Sequence, residues 1–110
     1  MPFDNRFAYQ GQRDAERKPH GVGTLLHGGQ LLYRGEFEHG SMTGRGYRVY
    51  MDGSSYSGAF HDGMRHGYGI WTSADGAVVR QGTFRADVFH GALRAWRLSR
   101  VNSLRGPPNA

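Results

Sequence analysis

The chain has 110 residues, enough for one small domain or a short array of repeats, and it contains 18 glycines but no cysteine. The missing thiol excludes a disulfide framework, a cysteine nucleophile and a cysteine-ligated zinc site. No apolar run approaches the ~18 residues that a membrane-spanning helix needs, so we expect a soluble, intracellular protein. Aromatic residues make up 13% of the chain, which together with the glycines indicates a folded protein with many tight turns.

The formal charge of +5 is unevenly distributed along the chain. Residues 92–110 contain four arginines and no acidic residue, so nearly all of the excess positive charge lies after residue 91. A basic segment of this kind suits nucleic acid, an anionic membrane or an acidic protein surface. The alternative is that these arginines are solvated and only aid solubility.

Glycine and aromatic residues recur along the chain with a period of 23 or 24 residues. One set of glycines with this spacing is Gly11, Gly35, Gly58 and Gly82. A second set is Gly21, Gly44, Gly67 and Gly91. The phenylalanines that share the period are Phe37, Phe60 and Phe84. Three independent sets with one period indicate a repeat protein.

The period divides residues 1–95 into four units, which span about 9–29, 33–53, 56–76 and 80–93, and leaves a basic tail at 96–110. Alternation of tyrosine, glycine and phenylalanine predicts strands, and the X-Gly pairs between them predict tight hairpin turns. A single hairpin is marginally stable, so the units must stack. We therefore predict an all-β protein: one elongated, curved antiparallel sheet of consecutive hairpins, without a long helix before residue 91 and with an irregular tail.

Glycine at alternate strand positions costs about 0.5–1 kcal/mol relative to alanine, which predicts a compensating contact. We expect Gly46 and Gly69 to leave room for a tyrosine or phenylalanine ring of a neighbouring hairpin. Because a single sheet has no second layer, the face that carries the rings is expected to be partly exposed and to contact partners.

These units resemble the MORN repeat (membrane occupation and recognition nexus) over about residues 7–95. The residues of the second to fourth units that carry the resemblance are Tyr33, Gly35, Phe37, Gly44, Gly46, Tyr56, Gly58, Phe60, Gly67, Gly69, Gly82 and Phe84. The second unit departs from the pattern at Thr43, where the third has His66. The first unit lacks the phenylalanine and the fourth has Arg80 in place of tyrosine, which is typical of the capping units of a solenoid.

The resemblance implies a non-catalytic scaffold that docks partner proteins in a cytoskeletal assembly, such as a ciliary or flagellar axoneme. The implied partners are tubulin or axonemal proteins, and a homodimer is a further alternative. The name of the family reflects a proposed link to membranes, so binding of anionic phospholipids is the second hypothesis. Nucleic acid is not expected, because the basic tail has little aromatic interleaving.

No catalytic or cofactor motif is complete. Gly67-x-Gly69 lacks the third glycine of a phosphate loop, and the aspartates of the Asp-Gly pairs have a structural reason to lie in turns. His20, His66 and His90 hold the same place in separate units, at least ~9–10 Å apart, too far to share a metal ion. We therefore expect no enzyme, no cofactor and no tight metal site, and interpret these histidines as residues that cap or pack at hairpin turns.

The tail supplies the candidate docking residues, which are Arg94, Trp96, Arg97, Arg100 and Arg105. Arginine binds carboxylates in a bidentate manner, so an acidic surface, for example a tubulin tail, is the expected partner. A membrane-bound amphipathic helix is less favoured, because Arg97 and Arg100 would fall within its apolar arc.

Overall fold

The computed structural model describes residues 6–91, which form one sheet of eight antiparallel strands. The strands are β1 (Phe7–Arg13), β2 (Pro19–His27), β3 (Gln30–Glu38), β4 (Ser41–Val49), β5 (Ser55–His61), β6 (Met64–Thr72), β7 (Val79–Arg85) and β8 (Val88–Phe89). Their order in the sheet is their order in the chain, which confirms the predicted array of consecutive hairpins. The described residues measure 50 × 26 × 21 Å and include no helix that could span a membrane.

A row of glycines crosses the sheet from β1 to β7, and each member pairs directly with the next. The members of this glycine row are Gly11, Gly23, Gly35, Gly46, Gly58, Gly69 and Gly82. A Cβ atom on Gly35 would lie 2.5 Å from the Cα atom of Gly46, so the backbones are too close for any side chain. The sequence period of the first glycine set is therefore a requirement of this close approach.

In the second hairpin (β3 and β4) and in the third (β5 and β6), a tyrosine ring of the first strand covers the glycine of the second strand that belongs to the glycine row. A Cβ atom on Gly46 would overlap the ring of Tyr33, and one on Gly69 would overlap that of Tyr56. The expected ring over glycine is therefore present, but it comes from the same hairpin and not from a neighbouring one. The reason is the register: Tyr33 pairs with Arg48, which leaves Gly46 at the diagonal position that a long ring reaches.

The rings form a continuous row of contacts along the sheet, which are edge-to-face except for the tilted contact between Phe84 and Phe89. Tyr33 packs against Phe37 of its own strand at 5.0 Å and against Phe60 of the next hairpin at 5.1 Å. The members of this aromatic row are Tyr9, Tyr33, Phe37, Tyr56, Phe60, Phe84 and Phe89. The contacts between hairpins hold the units together, in the geometry that aromatic rings prefer.

The aromatic row is the core of the protein, which corrects the expectation that it is exposed. Tyr33 and Tyr56 have no exposed surface. The hydroxyl of Tyr33 donates a hydrogen bond to the backbone oxygen of Glu36 at 2.8 Å, and burial raises its pKa to about 12. The rings bury one another against the bare glycine backbone, so a single sheet closes its own core without a second layer.

The turns are of two kinds. Within the second hairpin, His39-Gly40 joins β3 to β4, and within the third, Asp62-Gly63 joins β5 to β6. All four residues have positive φ, as the predicted two-residue turns require. Asp52-Gly53 instead lies in a longer loop between hairpins, where only the glycine has positive φ. This loop is closed by backbone hydrogen bonds from Tyr50 to Ser54 and from Gly53 to Tyr50, both 2.9 Å.

Candidate functional site

The face of the sheet opposite the aromatic row, here called the outer face, is open to solvent. Alternate residues of each strand point to this face, and direct partners across strands share it. Tyr47 of β4 pairs with Ser57 of β5, which pairs with Ile70 of β6. The residues of its central part are Arg34, Arg45, Tyr47, Ser57, Ala59, Tyr68 and Ile70.

On the outer face β5 contributes small side chains and its neighbours contribute large ones, and we call this strip of small side chains between large ones the groove along β5. Ser57 and Ala59 lie between Tyr47 on one side and Tyr68 and Ile70 on the other. The exposed fractions of the large side chains are 39% for Tyr47, 53% for Tyr68 and 37% for Ile70. Exposed tyrosines around a small-residue floor are typical of surfaces that bind protein partners.

Positive charge borders this groove. Arg34 and Arg45 are exposed, and neither guanidinium forms an ion pair within residues 6–91. Glu36, a carboxylate of the outer face, accepts a hydrogen bond from the backbone N–H of Arg45 at 2.7 Å. A partner with carboxylates opposite the two arginines would complement this surface.

The structure explains the histidines that recur with the repeat. His20 Nδ1 accepts a hydrogen bond from the backbone N–H of His39, the first turn residue of the next hairpin, at 3.1 Å. Thr43 Oγ1 accepts one from Asp62 at 3.1 Å. His66 Nδ1 does the same for Ala86 at 3.2 Å. The capping interpretation is thus confirmed for His20 and His66, with the detail that each caps the turn of the following hairpin.

The contact between the first hairpin (β1 and β2) and the second (β3 and β4), here called the first contact, also contains an acidic residue that the repeat does not explain. Asp14 begins the polar segment between β1 and β2, and its Oδ2 atom lies 2.8 Å from Nδ1 of His39. One ligand atom from each of Asp14, His20 and His39 lies within 4.8 Å of the others. The hydrogen bond with His39 and the backbone N–H of Lys18 lower the pKa of Asp14 to about 2, so its carboxylate is ionised.

The repeat pattern alone does not predict this cluster, because it aligns His20 with His66 and assigns His39 to a turn. The signal that finds it is the spacing of about 19 residues between a capping residue and the turn that it caps. Thr43 and Asp62 have the same spacing. His61 and His66, which flank the turn of the third hairpin, have ring centroids 5.8 Å apart.

The predicted scaffold residues are distributed between the glycine row, the aromatic row and one further set. In that set Gly44 pairs with Phe60, and Gly67 pairs with Phe84, so each glycine faces the phenylalanine of the next hairpin. The predicted docking residues of the tail lie outside the described residues; they are Arg94, Trp96, Arg97, Arg100 and Arg105.

The family model of the MORN repeat matches residues 33–55 and 56–78. The chain contains two MORN repeats. They correspond to the second and third hairpins with the loops that follow them, and the groove along β5 lies entirely within them. MORN repeats indicate a module that interacts with proteins or membranes, and the outer face is the surface that these two repeats leave uncovered.

Proposed function

We propose that this protein is a non-catalytic scaffold that docks an acidic partner protein along the groove of its outer face. The observation that carries the proposal is the exposure of Tyr47, Tyr68 and Ile70 around a floor of small residues. Exposed tyrosines supply large contact area at a low entropic cost, and the two exposed arginines on the β4 side of the floor, Arg34 and Arg45, favour carboxylates on the partner.

The carboxylates of the loops support a structural role over a catalytic one. Asp52 accepts hydrogen bonds from the backbone N–H and the hydroxyl of Ser54, at 2.8 and 2.6 Å. Asp75 accepts hydrogen bonds from the backbone N–H of Ala77 and the hydroxyl of Ser73, at 2.9 and 2.8 Å. These bonds hold the loops in shape and leave each carboxylate turned toward its own loop.

The resemblance supports a cytoskeletal setting, such as a ciliary or flagellar axoneme, with tubulin as the acidic partner. The basic tail would supply a second contact through its arginines. Four positive charges after residue 91 match the acidic tails of tubulin in sign, and Trp96 would provide an apolar anchor.

The test is co-sedimentation of the full chain with polymerised microtubules. We expect the Tyr47→Ser/Tyr68→Ser double variant to weaken binding about tenfold or more, because both anchors of the groove are lost. Met51→Ser is the matched control, since Met51 is a fully exposed apolar residue in a loop outside the groove, and it should bind as the parent does. Equal binding by the double variant and the parent would exclude the groove as the docking surface.

Two further experiments test the role of the tail and the membrane alternative. Changing Arg94, Arg97 and Arg100 together to glutamine should weaken microtubule binding, with a larger loss at high salt. Normal binding by that variant would leave the tail with a solubility role only. Sedimentation with vesicles of anionic phospholipid, in place of microtubules, would instead establish the membrane alternative, in which each arginine near the surface contributes about 1 kcal/mol.

A further inference from the structure

Three potential metal ligands meet where the first hairpin contacts the second. Asp14 begins the loop between β1 and β2, His20 lies in β2, and His39 lies in the turn between β3 and β4. Their ligand atoms lie within 4.8 Å of one another, and the two imidazole rings have centroids 4.4 Å apart. One carboxylate and two imidazoles form a donor set that suits zinc and neighbouring divalent transition metals.

The backbone holds these three residues in place before any ion binds. Asp14 Oδ1 accepts hydrogen bonds from the backbone N–H groups of Glu16 and Lys18, both at 2.9 Å, which leaves Oδ2 turned toward His39. The turn that carries His39 is fixed by a backbone hydrogen bond from Gly40 to the oxygen of Pro19 at 2.7 Å. A site with its ligands already positioned loses little conformational entropy on binding.

The cluster is open on one side, which leaves room for the ion and for its remaining ligands. The side chain of His39 is 65% exposed, whereas that of Asp14 is 9% exposed. In a tetrahedral zinc site the ligands lie about 2.1 Å from the metal and therefore about 3.4 Å from one another. Zinc would require the 2.8 Å contact between His39 Nδ1 and Asp14 Oδ2 to lengthen, and the exposed ring of His39 is the part that has room to rotate. Water would complete the coordination.

A metal ion displaces protons from the side chains that bind it, and in this cluster the atoms that would lose a proton can be named. Each neutral imidazole has one lone pair, and a metal ion competes with protons for it. The ion would take the place of the proton that His39 Nδ1 and Asp14 Oδ2 share. At His20 it would compete with the capping hydrogen bond from the backbone of His39. The turn keeps its second hydrogen bond, from Gly40 to Pro19, in either state.

We propose that Asp14, His20 and His39 form a binding site for a divalent transition-metal ion, with zinc the best fit. The proposal goes beyond the docking function and revises the expectation of no tight metal site. The other contacts between hairpins serve as internal controls: the second has Thr43 and Asp62 at the places of His20 and His39, and the third has Ala86 at the place of His39.

The test is titration of the full chain with Zn²⁺ at pH 7 by calorimetry, on protein purified without a polyhistidine tag. We expect one zinc ion per chain, with the affinity lowered about tenfold or more in each of three variants. The variants are His20→Thr, His39→Asn and Asp14→Asn. His20→Thr copies the capping residue of the second contact, Asn tolerates the positive φ of position 39, and Asn at position 14 keeps an oxygen for the loop.

His61→Ala is the matched control, because it removes an exposed imidazole outside the cluster and should leave zinc affinity unchanged. Circular dichroism of each variant verifies that the sheet is retained. The proposal is wrong if the parent shows no saturable binding at one ion per chain, or if the three variants keep the parent's affinity. It is equally wrong if His61→Ala loses as much as they do, which would indicate weak binding by scattered surface histidines.

Discussion

The first and second contacts between hairpins share their backbone hydrogen bonds but differ in their side chains. In the first, Gly40 donates to Pro19 and the turn is capped by His20. In the second, Gly63 donates to the backbone oxygen of Met42 at 2.9 Å, and the cap is Thr43. Because a hydroxyl and an imidazole make the same bond at 3.1 Å, the fold requires an acceptor at this place and no particular residue type.

This difference separates what the fold needs from what it merely permits. Threonine meets the structural need at the second contact, so the second imidazole at the first contact, and the Oδ2 atom of Asp14 that faces it, exceed that need. The third contact shows another variation, since Ala86 and Asp87 both have positive φ without glycine. There Arg65 secures the turn through its Nε atom, 3.2 Å from Oδ1 of Asp87, and a hydrogen bond to the Asp87 backbone oxygen at 2.8 Å.

The largest expected effect comes from β4, a strand that lies between the two contacts. Gly46→Val should lower the free energy of unfolding by about 3 kcal/mol or more, because the new side chain overlaps the ring of Tyr33. Displacing that ring also disrupts its packing against Phe60 of the next hairpin. The measurement is urea unfolding followed by circular dichroism.

Ser57→Val is the matched control for this change, since it introduces the same side chain at an exposed position of the adjacent strand. It should shift stability by about 0.5 kcal/mol or less. If Gly46→Val unfolded at the same urea concentration as the control, the packing of the tyrosine over the glycine would not be what holds the hairpins together.

A smaller effect tests whether the two capping residues are equivalent. His20→Ala and Thr43→Ala should each lower the free energy of unfolding by about 0.5–1.5 kcal/mol, because each leaves one backbone N–H of a turn without its acceptor. His20→Thr should retain most of the parent's stability, measured in metal-free buffer. A loss as large for His20→Thr as for His20→Ala would mean that the histidine contributes through its ring contacts and not as an acceptor.

The sequence was sufficient for the array of hairpins, because period and alternation depend on the glycine and aromatic positions alone. Two features could not be predicted from it. The burial of the aromatic row depends on the diagonal reach of Tyr33 over Gly46, which follows from register. The cluster at the first contact depends on the separation of 19 positions between a capping residue and the turn that it caps, which the stacking of the hairpins sets and the 23–24-residue period alone does not reveal. The alternation along the strands predicts that the tyrosines of the outer face lie on one side of the sheet. Only the burial of the aromatic row shows that this side is the exposed one.

The smallest expected effect concerns the loops between hairpins, in which an aspartate carboxylate accepts the hydrogen bonds that close the loop. At the contacts described above the acceptor is the neutral side chain of a histidine or threonine. The hydroxyl and the backbone N–H of Ser54 lower the pKa of Asp52 in the folded protein. Since the folded-state pKa is depressed, the stabilisation is fully present above the unfolded value of about 3.9 and is lost as the pH falls through the folded value. Asp52→Asn should therefore lower the melting temperature slightly at pH 7 and leave it nearly unchanged relative to the parent once the pH is below the folded-state pKa of Asp52. Ser54→Ala, which removes the hydroxyl donor, should reduce the same pH dependence of the melting temperature. If the difference in melting temperature between Asp52→Asn and the parent persisted unchanged in acid, the charge of the carboxylate would have no part in closing the loop.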